Sequence, residues 1–358
     1  MNDKNLFLAS SPHFKFKITT PMIMGTVLFA LLPECIFGVV TFGLRALVTI
    51  LVSVLSCVIF EFLFQVCTKQ RITISNLSAC VSGVMLALVC PPTIPVWMVV
   101  LGAAVAMIVA KGLFGGIGSN VFNPALAGRA VLMISFPSAM GAKWLNPVSQ
   151  VADGAVDAIS SATILSSIKN GSVKASDFDF VTYFFGNHSG CIGETSALLV
   201  LISFVILLLC RIIDWRAPVA MVGTVSLASF FAGLIKTGSF YGACQELLMN
   251  VLTGGLLFGA TFMVTDYATS PVTKPGRLVF GLGCGLITFL IRTFGGYPEG
   301  IMFSILIMNT IVPFLNNLTV RKYGYGKKGN KRPDIKKIQM EFDLSSISEE
   351  QNQGGQNV

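Results

Sequence analysis

Long apolar runs fill nearly all of the chain before Pro137 and most of it after Thr195, and they leave few folds open. Only 12% of the residues are charged, against about 25% in soluble domains. Inside a bilayer the backbone must pair its own polar groups, so apolar runs of this length predict helices. We therefore predict an all-α polytopic membrane protein with about ten transmembrane helices. The predicted spans are Met22–Phe42, Ala46–Val66, Leu77–Cys90, Val96–Ala110, Phe122–Pro137, Thr195–Ile212, Pro218–Ile235, Leu247–Val264, Leu278–Ile291 and Gly300–Leu318.

A weak internal repeat divides these spans into two halves of five. Phe114-Gly115-Gly116 precedes Asn123-Pro124-Ala125-Leu126, and Phe294-Gly295-Gly296 precedes Phe303-Ser304-Ile305-Leu306. Gly83 and Gly255 lie in matching spans upstream. Because five is an odd number, the two halves are predicted to be inverted in the membrane. Chance recurrence among 35 glycines is the alternative explanation.

Several predicted spans are shorter than the ~20 residues that a helix needs to cross a bilayer. Short spans interrupted by Gly or Pro are typical of broken helices around a site near the middle of the membrane. Between the halves lies the one long polar segment inside the apolar part of the chain. The predicted parts are a cytoplasmic N-terminal segment (1–20), a first membrane half (21–137), an external polar segment (138–190), a second membrane half (191–320) and a disordered cytoplasmic tail (321–358).

The net charge of +8 reflects basic residues in loops and in the tail, which is how membrane proteins set their orientation. This distribution predicts cytoplasmic termini and an external polar segment. It argues against nucleic-acid binding, which needs a basic patch on a soluble face. The basic residues assigned to the cytoplasmic side are Lys69, Arg71, Lys111, Arg211, Arg216, Lys274, Arg277, Arg321, Lys322, Lys327, Lys328, Lys331 and Arg332.

The nine cysteines lie mostly inside apolar runs and are interpreted as small buried residues. Only Cys191, beside the polar segment, is expected to be exposed. The chain has two histidines, His13 and His188, so a histidine metal site is not expected.

The polar segment contains Asp157-Ala158-Ile159-Ser160-Ser161-Ala162-Thr163. A threonine oxygen can be esterified by a phosphate, and a nearby carboxylate such as Asp157 can hold the metal ion of the transferase that does so. An ordinary surface loop or a helix N-cap is the alternative, because Ser and Thr are common in both.

These residues resemble the flavinylation motif D-x-x-[S/T]-G-A-T, in which the last threonine bears FMN through a phosphoester bond. Ser161 departs from the usual glycine. Together with three further segments, the motif resembles the family of D subunits of the Rnf electron-transport complex, which are homologous to the B subunit of the sodium-pumping NADH:quinone reductase. The resemblance covers roughly residues 14–323. The three further segments are Gly115–Arg129, Ala260–Asp266 and Phe294–Gly300.

The resemblance implies a covalent FMN on Thr163, in a site that includes Asp157, Ser160 and Ser161. It implies a subunit of an ion-translocating oxidoreductase in the inner membrane, which couples ferredoxin:NAD⁺ electron transfer to export of Na⁺ or H⁺. The implied partners are membrane lipid and the other Rnf subunits: an external flavoprotein G, cytoplasmic C and B, and membrane-embedded A and E.

Asn120 and Asn123 lie on a Gly-rich turn that enters a short span, followed by Arg129. Side-chain amides supply both donors and acceptors, which suits the polar edge of a flavin ring. The resemblance implies a second, non-covalent riboflavin or other flavin near this motif, and Arg129 is a candidate to balance a flavin anion or a phosphate. Helix capping is the alternative for the asparagines, and Asn120 before Pro124 fits it.

Ionisable groups in or near spans are functional candidates, because they are expensive in lipid. Asp266 is a candidate for the start of a cation or proton path, with snorkelling or an ion pair as the alternative. An inverted-repeat transporter without redox function is the competing hypothesis for the whole chain. The ionisable candidates are Glu34, Glu61, Arg129, Glu246, Asp266, Arg292 and Glu299.

Overall fold

In the computed structural model, helices follow the predicted apolar runs. The structure describes residues 19–141, 144–145, 179–186, 188–296 and 299–319, and these residues contain no β-strand. The helices of the first half, with the short one that follows them, are α1 (Thr20–Phe42), α2 (Leu44–Cys67), α3 (Ser78–Leu88), α4 (Val96–Gly112), α5 (Pro124–Ser135) and α6 (Pro137–Gly141). The later helices are α7 (Phe180–Phe185), α8 (Ala197–Leu209), α9 (Arg216–Thr237), α10 (Phe240–Leu252), α11 (Leu256–Met263), α12 (Lys274–Phe294) and α13 (Ile301–Thr319).

Among the described residues, five helices are long and apolar enough to cross a membrane: α1, α2, α9, α12 and α13. The bent pair α10 and α11 adds a sixth candidate span. Large apolar side chains lie exposed on these helices, such as Ile36 at 62%, Leu55 at 60% and Phe231 at 58%. Contiguous exposed apolar surface on this scale fits contact with lipid. The chain is therefore an all-α polytopic membrane protein, as the sequence predicted.

Four of the predicted spans, now α3, α4, α5 and α8, are apolar helices of only 10–17 residues. At 1.5 Å per residue such helices are shorter than the ~30 Å hydrocarbon layer. The predicted span Leu247–Val264 differs more, because the chain breaks inside it and the two parts meet at 58°. Gly254 and Gly255 hold left-handed φ angles of 65° and 66° at this break, which a continuous helix does not permit.

Close helix packing in each half depends on a glycine. A Cβ atom on Gly83 of α3 would lie 2.7 Å from the Cα of Val54 in α2. A Cβ atom on Gly281 of α12 would lie 2.3 Å from the carbonyl oxygen of Ala217 in α9. Small residues at membrane helix contacts let backbones approach, because apolar burial does not drive helices together in lipid. The predicted inversion of the two halves stays a prediction.

The chain up to Asn316 forms one compact unit, and of the unit that begins at Asn317 only the end of α13 is described. Within the first unit, the loop before α8 packs onto the end of α3. The N–H groups of Ile192 and Gly193 donate to the carbonyls of Cys90 and Leu88, at 3.2 and 2.7 Å. This loop brings the start of the second half against the core of the first.

Candidate functional site

A cavity of about 340 Å³ lies between the start of α1, the start of α3, the end of α4 and two loops. One loop is the Gly-rich turn before α5, and the other joins α11 to α12. The cavity therefore has walls from both halves of the chain. Its lining residues are Thr20, Ile23, Met24, Ser78, Val81, Ser82, Met85, Lys111, Ile117, Gly118, Asn120, Pro124, Asp266, Tyr267 and Ala268.

Two π-helical stretches border this region. Val105–Gly112 ends α4 at the cavity, and Gly259–Met263 ends α11 just before the second loop. Such stretches are uncommon and occur frequently at functional sites. They end in loops that supply Asn120 on one side and Asp266 on the other.

The two asparagines of the Gly-rich turn have different roles in the structure. Asn120 lines the cavity, and its Nδ2 donates to the Phe122 carbonyl at 3.2 Å. Asn123 is the N-cap of α5, because its Oδ1 accepts from the N–H groups of Ala125 and Leu126 at 3.1 and 3.4 Å. Asn123, and not Asn120, is therefore the asparagine that caps a helix. Asn120 lines the cavity, and Asn123 does not.

A buried ion pair supports the cavity wall. Lys111 is 4% exposed, and its Nζ lies 2.7 Å from Oε1 of Glu61 and 2.7 Å from Oγ of Ser78. An ammonium group has three donors, and within the described residues these two contacts leave one of them for a ligand. By its sequence position Lys111 is one of the loop residues that set orientation, and only the structure shows it at the cavity.

Asp266 lies in the loop between α11 and α12, at the cavity. Its carboxylate accepts hydrogen bonds from Oγ1 of Thr269 at 3.1 Å and from the N–H of Ala268 at 3.4 Å. Burial raises the pKa of the Asp266 carboxyl above its usual range, and the hydrogen bonds from Thr269 and Ala268 act in the opposite direction. The Asp266 carboxyl is therefore a titratable group at the edge of the cavity.

Arg129 lies five residues, or about one and a half turns, along α5 from Pro124 of the cavity lining, and it does not line the cavity. It forms a short ion pair with Glu299, and its Nη2 atom lies 3.5 Å from Sγ of Cys191. Sγ of Cys191 and carboxylate oxygens of Glu194 and Glu299 lie within 4.8 Å of one another, a spacing that suits metal ligands. In this structure the positive charge of the Arg129 guanidinium lies beside these three side chains and balances the negative charge there, as a metal ion would.

Two other ionisable candidates, Glu246 and Arg292, are paired within the protein. Glu246 pairs with Lys236 at 2.8 Å. Arg292 donates to the carbonyls of Asn250, Thr253 and Gly254 at 2.5, 3.0 and 3.2 Å, and so caps the broken end of α10. These carbonyls have no helical partner, which explains why a buried arginine lies there.

Most cysteines are buried or half-buried, but the expectation that Cys191 is the exposed one was wrong. Cys191 belongs to the loop before α8 and is fully buried, whereas Cys67 and Cys210 are exposed at helix ends. A position next to a polar segment does not predict exposure when the chain folds back into the core.

The predicted FMN site lies outside the described residues. This applies to Asp157, Ser160, Ser161 and Thr163 together. The described chain stops at Leu145 on one side of this segment and resumes at Asp179 on the other.

Comparison with known proteins gives consistent matches over almost the whole chain. The sequence profile of the NQR2, RnfD, RnfE family matches residues 7–324. A protein of Clostridium ljungdahlii, described as the D subunit of a proton-translocating ferredoxin:NAD(+) oxidoreductase complex, is 39% identical over 325 residues, or 88% of this chain and 95% of that protein.

Two further relatives carry similar descriptions. The D subunit of the Na(+)-translocating ferredoxin:NAD(+) oxidoreductase complex of Acetobacterium woodii is 39% identical over 330 residues, covering 91% of this chain and 98% of its own. The D subunit of the ion-translocating oxidoreductase complex of Stutzerimonas stutzeri is 35% identical over 337 residues, covering 87% of this chain and 93% of its own. The descriptions name protons for the Clostridium relative, Na(+) for the Acetobacterium relative and no particular ion for the Stutzerimonas relative.

Proposed function

This chain belongs to the NQR2, RnfD, RnfE family, and from that membership we propose that it is a membrane subunit of an Rnf-type complex. The complex couples electron transfer between ferredoxin and NAD⁺ to translocation of Na⁺ or H⁺. The observation that carries the proposal is the similarity to D-subunit proteins over 87–91% of the chain. The other subunits, the external G, the cytoplasmic C and B and the membrane-embedded A and E, are its proposed partners in the inner membrane.

The cavity is the proposed site of a non-covalent flavin. Its volume of about 340 Å³ falls within the range of roughly 300–1,000 Å³ typical of small-molecule sites. Val81, Met85 and Ile117 offer apolar surface to a flat ring, and Asn120 and Lys111 offer hydrogen bonds to its polar edge. A flavin bound there would supply the redox group, while the protein holds it and sets its surroundings.

Thr163 is the proposed attachment point of the covalent FMN, with Asp157, Ser160 and Ser161 beside it. Support comes from the motif in the sequence. α5 begins at Pro124, next to the cavity loop, and ends at Ser135, and its 12 residues correspond to a length of about 18 Å. In the sequence, the cavity loop precedes α5 and the segment that contains Thr163 follows it.

The experiment for this proposal measures the flavin in the purified chain. We expect yellow protein, a fluorescent band that survives denaturing electrophoresis, and a second flavin that acid releases from the precipitated protein. A colourless protein that still inserts into membranes would overturn the proposal. It would favour the transporter without redox function, for which the bend between α10 and α11 is the supporting observation.

A further inference from the structure

The polar amide side chain of Asn309 lies in the middle of an apolar helix. It lies on α13 and is only 1% exposed. With the Asn309 amide nitrogen toward the carbonyls of Thr269 and Ile305, and its oxygen toward the backbone N–H of Asn123, all three contacts are hydrogen bonds, at 3.2, 3.2 and 3.3 Å. The surroundings therefore define the orientation of the amide.

These contacts join the two walls of the cavity. Asn123 ends the Gly-rich turn that supplies Asn120, and Thr269 belongs to the loop that supplies Asp266. The hydrogen-bonded link continues to the carboxylate of Asp266, because Oγ1 of Thr269 donates to this carboxylate at 3.1 Å. A connected path of hydrogen bonds thus runs from Asn123 through Asn309 and Thr269 to Asp266.

Asn309 itself does not line the cavity. A polar side chain within a membrane helix is expensive unless it is paired inside the protein. Removing the Asn309 amide would leave buried backbone groups on both loops without this partner, and unpaired buried groups are destabilising. Loss of Asn309 should therefore change both cavity walls while leaving the lining side chains intact.

We propose that Asn309 is a positioning residue for the ligand of this cavity, and that it holds Asn120 and Asp266 at a fixed separation. The proposal rests on the proposed function in taking that ligand to be a non-covalent flavin. Asn309 acts through the two loops and makes no contact with the ligand itself.

The chain offers a matched control on the same helix. Oδ1 of Asn316 accepts from the N–H of Val272 at 3.0 Å, so it holds the same loop between α11 and α12 but not the Gly-rich turn. Asn309→Ala and Asn316→Ala each remove one amide from α13, and only the first removes the link between the walls.

The test measures three quantities on the full-length chain: riboflavin affinity by titration after acid-free removal of the bound flavin, the midpoint potential of the rebound flavin, and hydrogen exchange of residues 113–123 and 264–273. For Asn309→Ala we expect affinity lower by about tenfold or more, a shifted potential, and faster exchange in both loops. For Asn316→Ala we expect unchanged affinity and potential, with faster exchange confined to residues 264–273.

A purely structural role would lower thermal stability in both variants and leave affinity and potential unchanged, which would overturn the proposal. If Asn309→Ala does not fold, Asn309→Asp serves instead, since it keeps an acceptor for the N–H of Asn123 and loses the amide donors to Thr269. Unchanged riboflavin affinity in that variant would equally overturn the proposal.

Failure of the proposed function would look different. In that case the unmutated chain would bind neither riboflavin nor FMN in the cavity, yet exchange in both loops would still rise in Asn309→Ala. If hydrogen exchange in both loops is the same in Asn309→Ala as in the unmutated chain, Asn309 does not link the loops, whichever ligand the cavity binds.

Discussion

Single side chains decide whether each proposed flavin is held, and by what kind of bond. Thr163 offers a hydroxyl for a phosphoester, whereas Asn120 and Lys111 offer only hydrogen bonds at a cavity. A covalent bond survives denaturation and hydrogen bonds do not, so the two proposed sites can be tested separately.

Replacing Thr163 with Ala should abolish the flavin fluorescence that survives denaturing electrophoresis, because no oxygen remains at that position to esterify. The protein should still insert, since the change lies outside the apolar spans. Intact mass of the purified chain is the second measurement, and an FMN mass retained on the variant would contradict the assignment. Ser161→Gly is the matched control and should keep its FMN, since it restores the usual residue of the motif.

The two asparagines of the Gly-rich turn should respond differently to substitution. Asn120→Leu removes a polar group from the cavity and should weaken the non-covalent flavin by roughly tenfold to a hundredfold, from an unpaired-group penalty of about 1–3 kcal/mol. Asn123→Ala removes the N-cap of α5 and should lower the free energy of unfolding by about 1 kcal/mol. Flavin titration and thermal unfolding separate these effects. Equal flavin affinity in Asn120→Leu and the unmutated chain would show that Asn120 only shapes the turn.

Contacts between helices and loops depend on buried charge as well as on close packing. The Arg129–Glu299 pair joins α5 to the residues just before α13, and the side chains are 7% and 11% exposed. A buried ion pair gains little over an apolar pair, but removal of one partner leaves an unpaired buried charge. The pair therefore fixes the position of α5 against the second half more than it stabilises the fold.

Arg129→Gln should lower the free energy of unfolding by about 3–5 kcal/mol, because Glu299 is left without its partner. The double variant with Glu299→Gln should recover most of that loss. The comparison is Lys236→Ala at the Lys236–Glu246 pair. The lysine there is 67% exposed and the carboxylate 10% exposed, so we expect a smaller loss than for Arg129→Gln, because only one of the two charges is buried. Thermal unfolding in detergent provides the comparison, and additive losses in the double variant would show that the two residues act independently.

For the protein as a whole, the orientation in the membrane decides which partners can reach each of the two proposed flavins. The distribution of Lys and Arg predicts that Thr163 is external and Arg321 cytoplasmic. This orientation would place the covalent FMN toward the proposed G subunit and the tail toward the C and B subunits.

A labelling experiment tests the orientation. Cys67 and Cys210 are the exposed cysteines and are first replaced by Ser. A membrane-impermeant thiol reagent should then label Lys169→Cys from the outside of intact cells, and should label Arg321→Cys only in inverted vesicles. The opposite pattern would reverse the assignment of the two faces.

The fold class and most helix positions could be read from the sequence. α1, α2, α9, α12 and α13 lie close to their predicted spans, because the preference of a residue for lipid or water depends largely on its own side chain. The Gly-rich turn and its asparagines were also identified as a candidate site from residue type and spacing. The break between α10 and α11 was missed, because a hydropathy pattern does not report backbone conformation at Gly254 and Gly255.

Tertiary structure decided which polar residues meet. Arg129 and Glu299 are separated by 170 residues in the chain, and neither position carries a signal for the other. The same holds for the partners of Asn309, which its polar amide in an apolar run does not reveal, and for Lys111, which by sequence position is an ordinary loop lysine. Local sequence determines whether a segment forms a helix, whereas the neighbours of a buried polar group depend on how all the helices pack together.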